Sequence, residues 1–151
     1  MDNLKLQTPG TLHKQKIDMN ERIEELAGDN VLFKILMPSL EKVYVRSYRN
    51  QADSVATLTL LGIFHCHKVR NGWPASLEVL VREGMLVNLP MDPFADAPLV
   101  YKKTADGFTL YSVGLDFTDN GGVPGTDSNG KTAVWGENGD AVFWPIQTDN
   151  G

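Results

Sequence analysis

The stretch Leu89-Pro90-Met91-Asp92-Pro93-Phe94, read together with Gly107-Phe108-Thr109-Leu110-Tyr111-Ser112-Val113-Gly114-Leu115-Asp116, decides the fold of this chain. A residue that precedes proline is pushed out of helical conformation, so the first stretch is extended or turned. Residues 99–103 and 108–113 are alternating apolar runs on either side of Thr104-Ala105-Asp106-Gly107, a pattern that is typical of a β-hairpin. The sequence therefore predicts a small antiparallel sheet in this half of the chain.

A long helix is predicted upstream, over residues 31–70. We expect Pro38 to kink or divide this helix of about 60 Å, and Gly72 to close it in the left-handed conformation after a basic last turn. The polar middle, residues 46–51, is expected to be exposed or to face a partner. Apolar residues recur at three-four spacing at Leu32, Ile35, Leu36, Leu40, Val43 and Tyr44, and again at Val55, Leu58, Leu61 and Phe64.

The remaining segments complete an α+β fold. Residues 1–17 are predicted to be a flexible arm, and residues 18–151 a single domain with a helical part (18–84) and a β part (85–151). Within it we expect short helices at 18–27 and from Trp73 to Gly84, the latter packing through Leu77, Leu80 and Val81. A second strand pair is predicted from residues 132–135 and 141–144.

Composition excludes several classes of protein. The chain has 151 residues, 42% hydrophobic and 22% charged, which is ordinary for a globular domain. Its net charge of −5 gives no reason to expect nucleic-acid binding. A single cysteine, Cys66, excludes an internal disulfide framework. Because no apolar run approaches about 18 residues and no leader pattern is visible, we expect no membrane span or signal peptide in this chain.

The loop that follows the predicted hairpin is rich in oxygen donors. Calcium binds six to eight such oxygens, from carboxylates, amides and main-chain carbonyls. The spacing is not that of an EF-hand, and the alternative is a solvated turn whose Asp and Asn side chains cap their own backbone. The candidate metal ligands are Asp116, Asp119, Asp127 and Asp140, with Asn120 and Asn129 as further oxygen donors.

Catalytic patterns are weak throughout. His65 and His67 point about 200° apart on a helix and cannot share an ion as an i, i+4 pair could, so Cys66 between them is interpreted as a small buried apolar residue. Asp92 and Asp96 are candidates for acid–base work as paired carboxylates, but Asp92 precedes Pro93 in a turn context, where backbone N–H groups are its expected partners. No nucleophile elbow, P-loop or dinucleotide fingerprint is present, and we predict no catalytic residues. The aromatic residues Phe108, Tyr111, Trp135, Phe143 and Trp144 are interpreted as core.

From Gly72 onward the chain resembles the C-terminal domain of type II secretion major pseudopilins. The resemblance rests on Gly72-Trp73-Pro74-Ala75-Ser76-Leu77, on Leu89-Pro90-Met91-Asp92-Pro93-Phe94, on Pro98-Leu99-Val100-Tyr101, and on Tyr111-Ser112-Val113-Gly114 followed by Asp116. The family pattern is G-x-Y-P-x-S-L-x-x-L, then L-P-x-D-P-W-G-x-P-Y-x-Y, then S-x-G-x-D-G. It differs here in that Phe117 replaces the last glycine.

The resemblance implies a bacterial, non-catalytic structural subunit of protein transport whose helix packs into a filament and whose head carries a calcium loop. Asp116 matches the S-x-G-x-D position, and Asp127 and Asp140 match later loop carboxylates loosely because this loop is longer. The family's N-terminal membrane helix has no counterpart in this chain, so we expect either that an anchor was removed or that none existed. The implied location is extracytoplasmic, periplasmic or membrane-anchored, and the implied partners are copies of the chain or other pseudopilin-like subunits.

Two other interpretations remain open at this point. In the first, the chain is a soluble interaction module of the same fold that does not polymerise, and the apolar stripe of residues 32–44 binds a partner or a second copy. In the second, it is a small hydrolase or metalloenzyme, which would require titratable groups that converge in a pocket.

Overall fold

The structure is a computed structural model that describes residues 7–18, 21–22, 24–25 and 28–146. The helices that it describes in full are α1 (Pro9–Lys14), α2 (Val31–Arg70) and α3 (Leu77–Arg82). Its strands are β1 (Met91–Asp92), β2 (Ala97–Pro98), β3 (Val100–Lys103), β4 (Phe108–Ser112) and β5 (Ala141–Trp144). A long helix beside small antiparallel sheets confirms the predicted α+β class.

Helix α2 is continuous across Pro38, so the division expected there does not occur. Pro38 and Lys34 are both exposed, and water can therefore reach the Lys34 carbonyl that loses its helical donor. The predicted closing residue was wrong: Asn71, with φ of 52°, takes the left-handed conformation, and Gly72 does not. Asparagine is one of the few non-glycine residues that visit this region readily.

The strands form two separate antiparallel sheets. β1 pairs with β2, while β3, β4 and β5 lie side by side in that order. The predicted hairpin of residues 99–113 is confirmed, with Tyr101 opposite Leu110. The predicted partner strand at 132–135 does not form, and of its residues only Thr132 makes an isolated bridge, to Thr126.

β5 pairs with β4 because this pairing buries apolar side chains that a separate hairpin would leave exposed. Ala141 lies opposite Ser112 and Val142 opposite Tyr111, and both β5 residues are buried. The residues before β5 form hydrogen bonds within the loop and not with a strand. The Ala133 N–H donates to the carbonyl of Gly125 at 3.0 Å, and the Glu137 N–H donates to the carbonyl of Thr126 at 3.0 Å. The long loop therefore folds back on itself instead of extending the sheet.

The core lies between one face of α2 and the three-stranded sheet. Small side chains on α2 allow the sheet to approach closely, and α3 closes the same core from the side through Leu77 and Leu80, as predicted. A second cluster joins the middle of α2 to the β1–β2 turn through Tyr48, Ala52 and Phe94. Tyr48 is thus buried, and the polar middle of α2 is only partly exposed. The α2 residues of the larger cluster are Ala56, Ile63 and Cys66.

The described part of the predicted flexible arm is docked onto the domain. Pro9 begins α1 after the Thr8 cap, whose side chain accepts the Thr11 N–H at 3.1 Å. The hydroxyls of Thr8 and Thr11 donate to the Asp96 carboxylate at 2.8 and 2.5 Å. The Gly10 N–H donates to the Pro93 carbonyl at 3.0 Å. These bonds connect α1 to the β1–β2 turn.

The helix predicted at 18–27 is described only in part. Glu21, Arg22, Glu24 and Glu25 are helical, and the Arg22 N–H donates to the Asp18 carbonyl at 3.1 Å. The apolar positions on which that prediction rested, 23 and 26, lie outside the described residues.

Candidate functional site

The Asp-rich loop between β4 and β5 closes around two carboxylates. Asp140 is 0% exposed and accepts the N–H groups of Asn120 at 3.1 Å and Gly122 at 2.6 Å. Asp116 accepts the Gly139 N–H at 2.9 Å and the Asn120 side-chain amide at 2.9 Å. Both carboxylates therefore bind Asn120, Asp140 through the backbone N–H and Asp116 through the side-chain amide. The bond from Gly139 to Asp116 also connects the end of the loop to its start.

Asp119 joins this group, whereas Asp127 caps a different turn. Asp119 accepts the Tyr111 hydroxyl at 2.8 Å and the Gly121 N–H at 2.9 Å. Asp127 accepts the N–H groups of Asn129 at 2.8 Å and Lys131 at 2.9 Å. Three of the four predicted ligands, Asp116, Asp119 and Asp140, accept hydrogen bonds from residues 120–122. The fourth, Asp127, caps a separate turn.

The pKa directions follow from these contacts. Burial raises the pKa of Asp140; the N–H groups of Asn120 and Gly122 oppose this, and the charges of Asp119 and Asp116 add to it. The Gly121 N–H and the Tyr111 hydroxyl lower the pKa of Asp119. Asp119 and Asp116 are thus close enough to Asp140 for their charges to act on it.

Glycine is required where the loop meets the sheet. Gly114 has φ of 75°, and a Cβ there would lie 2.6 Å from the Gly139 carbonyl oxygen. The loop backbone therefore passes directly against the end of β4. This contact gives a physical reason for glycine in the Ser112-Val113-Gly114 motif.

Calcium binding in this loop stays a prediction that rests on its oxygen donors. Within the described ranges, no group of three or more His, Cys, Asp or Glu side chains is arranged so that it could hold a metal ion. Calcium also binds side-chain amide and main-chain carbonyl oxygens, which are additional to the His, Cys, Asp and Glu side chains. The loop carboxylates have backbone partners already, as the solvated-turn alternative requires.

Asp92 is a second buried carboxylate, and its predicted structural role is confirmed. It is 0% exposed and accepts the N–H groups of Phe94 at 2.9 Å and Val113 at 3.0 Å, together with the Ser112 hydroxyl at 2.9 Å. Burial raises the pKa of Asp92, and the bonds from Phe94, Ser112 and Val113 oppose that shift. The side chain joins the β1–β2 turn to the end of β4.

The His65-Cys66-His67 segment divides as the helical spacing predicts. Cys66 is buried in the core cluster. His67 stacks on Trp73, with ring centroids 3.8 Å apart and 8° between the planes, while His65 is exposed beside a groove on the other side of α2.

The aromatic residues of the sheet are packed as expected for a core. Phe108 and Tyr111 are buried. Trp144 packs against the larger cluster, and Trp135 against the smaller one, where its indole N–H donates to Asp53 at 3.0 Å. Trp135, Phe143 and Trp144 are therefore partly buried at the edge of the core, with Phe143 in contact with both clusters.

An apolar stripe is exposed on α2, opposite the face that contacts the sheet. Its side chains project within about 80° of one another at 3.6 residues per turn. Spacing predicted an apolar face but could not show that this side stays exposed. We define the α2 stripe as Leu32, Leu36, Leu40, Val43, Leu58 and Leu61, all of which are half or more exposed.

A groove of about 900 Å³ lies beside the C-terminal end of the α2 stripe. One wall is α2 at Leu58 and Leu61, and the other is the segment after α3 at Met85 and Leu86. Gly62 is the small residue between the walls, where a Cβ would come within 3.2 Å of the Leu86 side chain. Sequence reasoning missed this groove because it depends on how the segment after α3 returns along the helix.

Comparisons with known protein families, with curated proteins and with solved structures found no match to this chain. In the part of the chain that the structure describes, no helix has the length and apolar character needed to cross a membrane.

Proposed function

We propose that this chain is a non-catalytic structural or assembly subunit of the pseudopilin type, in which helix α2 packs against other protein chains. The proposal includes an extracytoplasmic location and calcium bound in the Asp-rich loop by carboxylate, amide and main-chain oxygens together, with Asp116 among the ligands. The observation that carries it is the exposed α2 stripe. A long helix whose one face is fixed to a head, and whose opposite face is apolar and exposed, needs another chain to cover it.

The chemistry of the side chains supports a role without catalysis. The buried carboxylates Asp92 and Asp140 are both bonded to backbone N–H groups, which leaves their oxygens committed to structure. His67 is stacked and Cys66 is buried. Acid–base or nucleophilic work needs such groups to converge on a reacting atom.

A soluble interaction module that does not polymerise is the second candidate, and the groove at Leu58 and Leu61 favours it. The N-terminal part of the α2 stripe in one copy can cover the groove of another copy. When every copy does this, the result is a small closed oligomer. Light scattering separates the candidates, because a polymer grows in mass with concentration whereas a closed oligomer reaches a fixed mass.

Site-specific photo-cross-linking in the cell that encodes the chain tests the proposed function. A cross-linking residue at Leu36, on the α2 stripe, is expected to give adducts that mass spectrometry identifies as this chain or as other pilin-like subunits. The matched control is Asp106, an exposed residue in the β3–β4 turn. Absence of protein adducts at Leu36, or adducts at both positions alike, would contradict the proposal.

A further inference from the structure

We infer that the α2 stripe binds a second copy of this chain, in an antiparallel two-fold pair in which each N-terminal half of α2 lies in the other copy's groove. This inference rests on the proposed packing of α2 against other protein chains, and it deepens the second candidate, a closed oligomer, by naming the partner. A two-fold interface requires the same surface on both subunits, with residue i against j and j against i. The α2 stripe has an apolar segment on each side of a polar centre: residues 32–43 on one side and residues 58–61 on the other. A two-fold axis through the centre therefore places one apolar segment opposite the other.

The register follows from the positions of the two apolar segments. Their midpoint lies near Ser47, so a two-fold axis there places Leu36 of one copy opposite Leu58 of the other. The same axis brings Leu32 to the level of Gly62, on the part of the groove where Leu86 packs over the glycine. Helix-in-groove docking of this kind uses anchors spaced three, four and seven residues apart.

The centre of the α2 stripe permits a close approach of the two helices. Ser47 and Ser54 lie there on the same face, and both are exposed. The Ser47 hydroxyl donates to the Tyr44 carbonyl at 2.7 Å, and the Ser54 hydroxyl to the Asn50 carbonyl at 2.8 Å. Since both hydroxyls are bonded within α2, burying them under a neighbouring helix leaves no donor without a partner.

The charge distribution favours a copy of the same chain. The sector of α2 that contains the stripe has no Asp, Glu, Lys or Arg between Leu32 and Leu61, although the chain carries a net charge of −5. Two copies can therefore meet along this face without the like-charge contacts that suppress self-association elsewhere. The charged residues of this region point to other sides of the helix: Lys34, Glu41, Lys42, Arg46, Arg49 and Asp53.

A stable interface buries about 1,600 Å² in total, so the contact must extend over a long stretch of each chain. The two-fold arrangement covers six side chains from each copy, all half or more exposed in the single chain, along about 44 Å of helix from Leu32 to Leu61. Both grooves are filled in the same pair, so no apolar segment of the stripe remains uncovered.

Sedimentation velocity over a wide range of concentration tests the pair with a charge exchange. Leu36→Glu alone and Leu58→Lys alone should each weaken dimerisation by about a hundredfold or more, because each buries an unpaired charge. Mixed together, the two variants should form a dimer again. In the antiparallel arrangement, the Leu36→Glu position of one chain meets the Leu58→Lys position of the other, and the second contact is between the unchanged Leu58 and Leu36. Ile35→Glu, at an exposed apolar position about 100° away around the helix, is the control that should keep the dimer.

Circular dichroism confirms that each variant is folded before it is mixed. A monomeric parent protein overturns the inference, and so does a mixture that stays monomeric, because a parallel pair would place the two substitutions apart. Neither result decides the proposed function: adducts at Leu36 with this chain or with pilin-like subunits would keep it, and the absence of protein adducts there would remove it.

Discussion

The carboxylate of Asp92 accepts the hydroxyl hydrogen of Ser112 at 2.9 Å in the interior of the protein. The two residues are 20 positions apart, and the bond connects the β1–β2 hairpin to the central strand of the larger sheet. The same carboxylate receives the Phe94 and Val113 N–H groups. One buried side chain therefore fixes how the two sheets meet.

Asp92→Ala is expected to destabilise the protein by about 3 kcal/mol or more, because three buried donors lose their acceptor together. Urea unfolding followed by tryptophan fluorescence measures the change. Asp106→Ala, at an exposed position in the β3–β4 turn, should stay within about 0.5 kcal/mol of the parent protein. Equal effects at the two positions would show that the Asp92 bonds contribute little to stability.

Asp119 and Asp140 should have opposite effects on the pH dependence of stability. The pKa of Asp119 is lowered by folding, so its contribution is present above its unfolded value of about 3.9 and is lost as pH falls through the folded value. The pKa of Asp140 is raised by burial, so the folded state binds the proton more tightly and the carboxyl's contribution falls as pH rises above about 3.9.

Unfolding of Asp119→Asn and Asp140→Asn across acidic pH checks this difference. The loss in free energy of unfolding caused by Asp119→Asn should grow as pH rises toward about 3.9. The loss caused by Asp140→Asn should shrink as pH rises above about 3.9. Parallel pH profiles for the two variants would contradict the assigned environments.

Local signals in the sequence predicted the helices and the first hairpin. The three-four spacing of α2 and the turn residues 104–107 act over a few neighbours, and both elements formed where they were expected. The strand predicted at 132–135 failed because β4 offered a free edge whose pairing buries Ala141 and Val142. That competition is a tertiary effect, which alternation in a short run does not reveal.

The candidate site shows the same division. The Asp and Asn residues of the loop could be recognised as oxygen donors, but which of them meet depends on a loop that folds back through Gly139 and Asp140. The α2 stripe was visible as spacing, whereas its exposure and the groove beside Leu58 required the positions of α3 and the segment after it. Spacing describes one helix, and a docking surface needs at least two elements.

Gly125→Ala is expected to destabilise the protein by about 3 kcal/mol or more, since overpacking against backbone cannot be relieved by a side-chain rotation. A Cβ at this position would lie 1.8 Å from the Asn138 carbonyl oxygen. Gly72→Ala is the matched control, because its nearest atom, the Arg70 carbonyl oxygen, would be 3.9 Å away. Thermal unfolding measures both, and a Gly125→Ala protein as stable as the control would show that the loop does not pack closely.

Calcium is expected to raise the melting temperature of the protein, and a chelator to reverse the rise, if Asp116 binds the ion together with amide and main-chain oxygens of the loop. A ligand that binds only the folded state stabilises it in proportion to the logarithm of its concentration above the dissociation constant. Asp116→Asn should remove the shift. The loop also loses hydrogen bonds in this variant, because an amide has one oxygen, whereas Asp116 accepts the Thr118 N–H at Oδ1 (3.0 Å) and the Gly139 N–H and the Asn120 amide at Oδ2 (2.9 Å each). The shift is therefore measured from the variant's own melting temperature without calcium. Asp127→Asn, in the separate turn, is the control that should keep the shift. A melting temperature that calcium and chelator leave unchanged, together with no heat in a calorimetric titration, would assign these carboxylates to backbone capping alone.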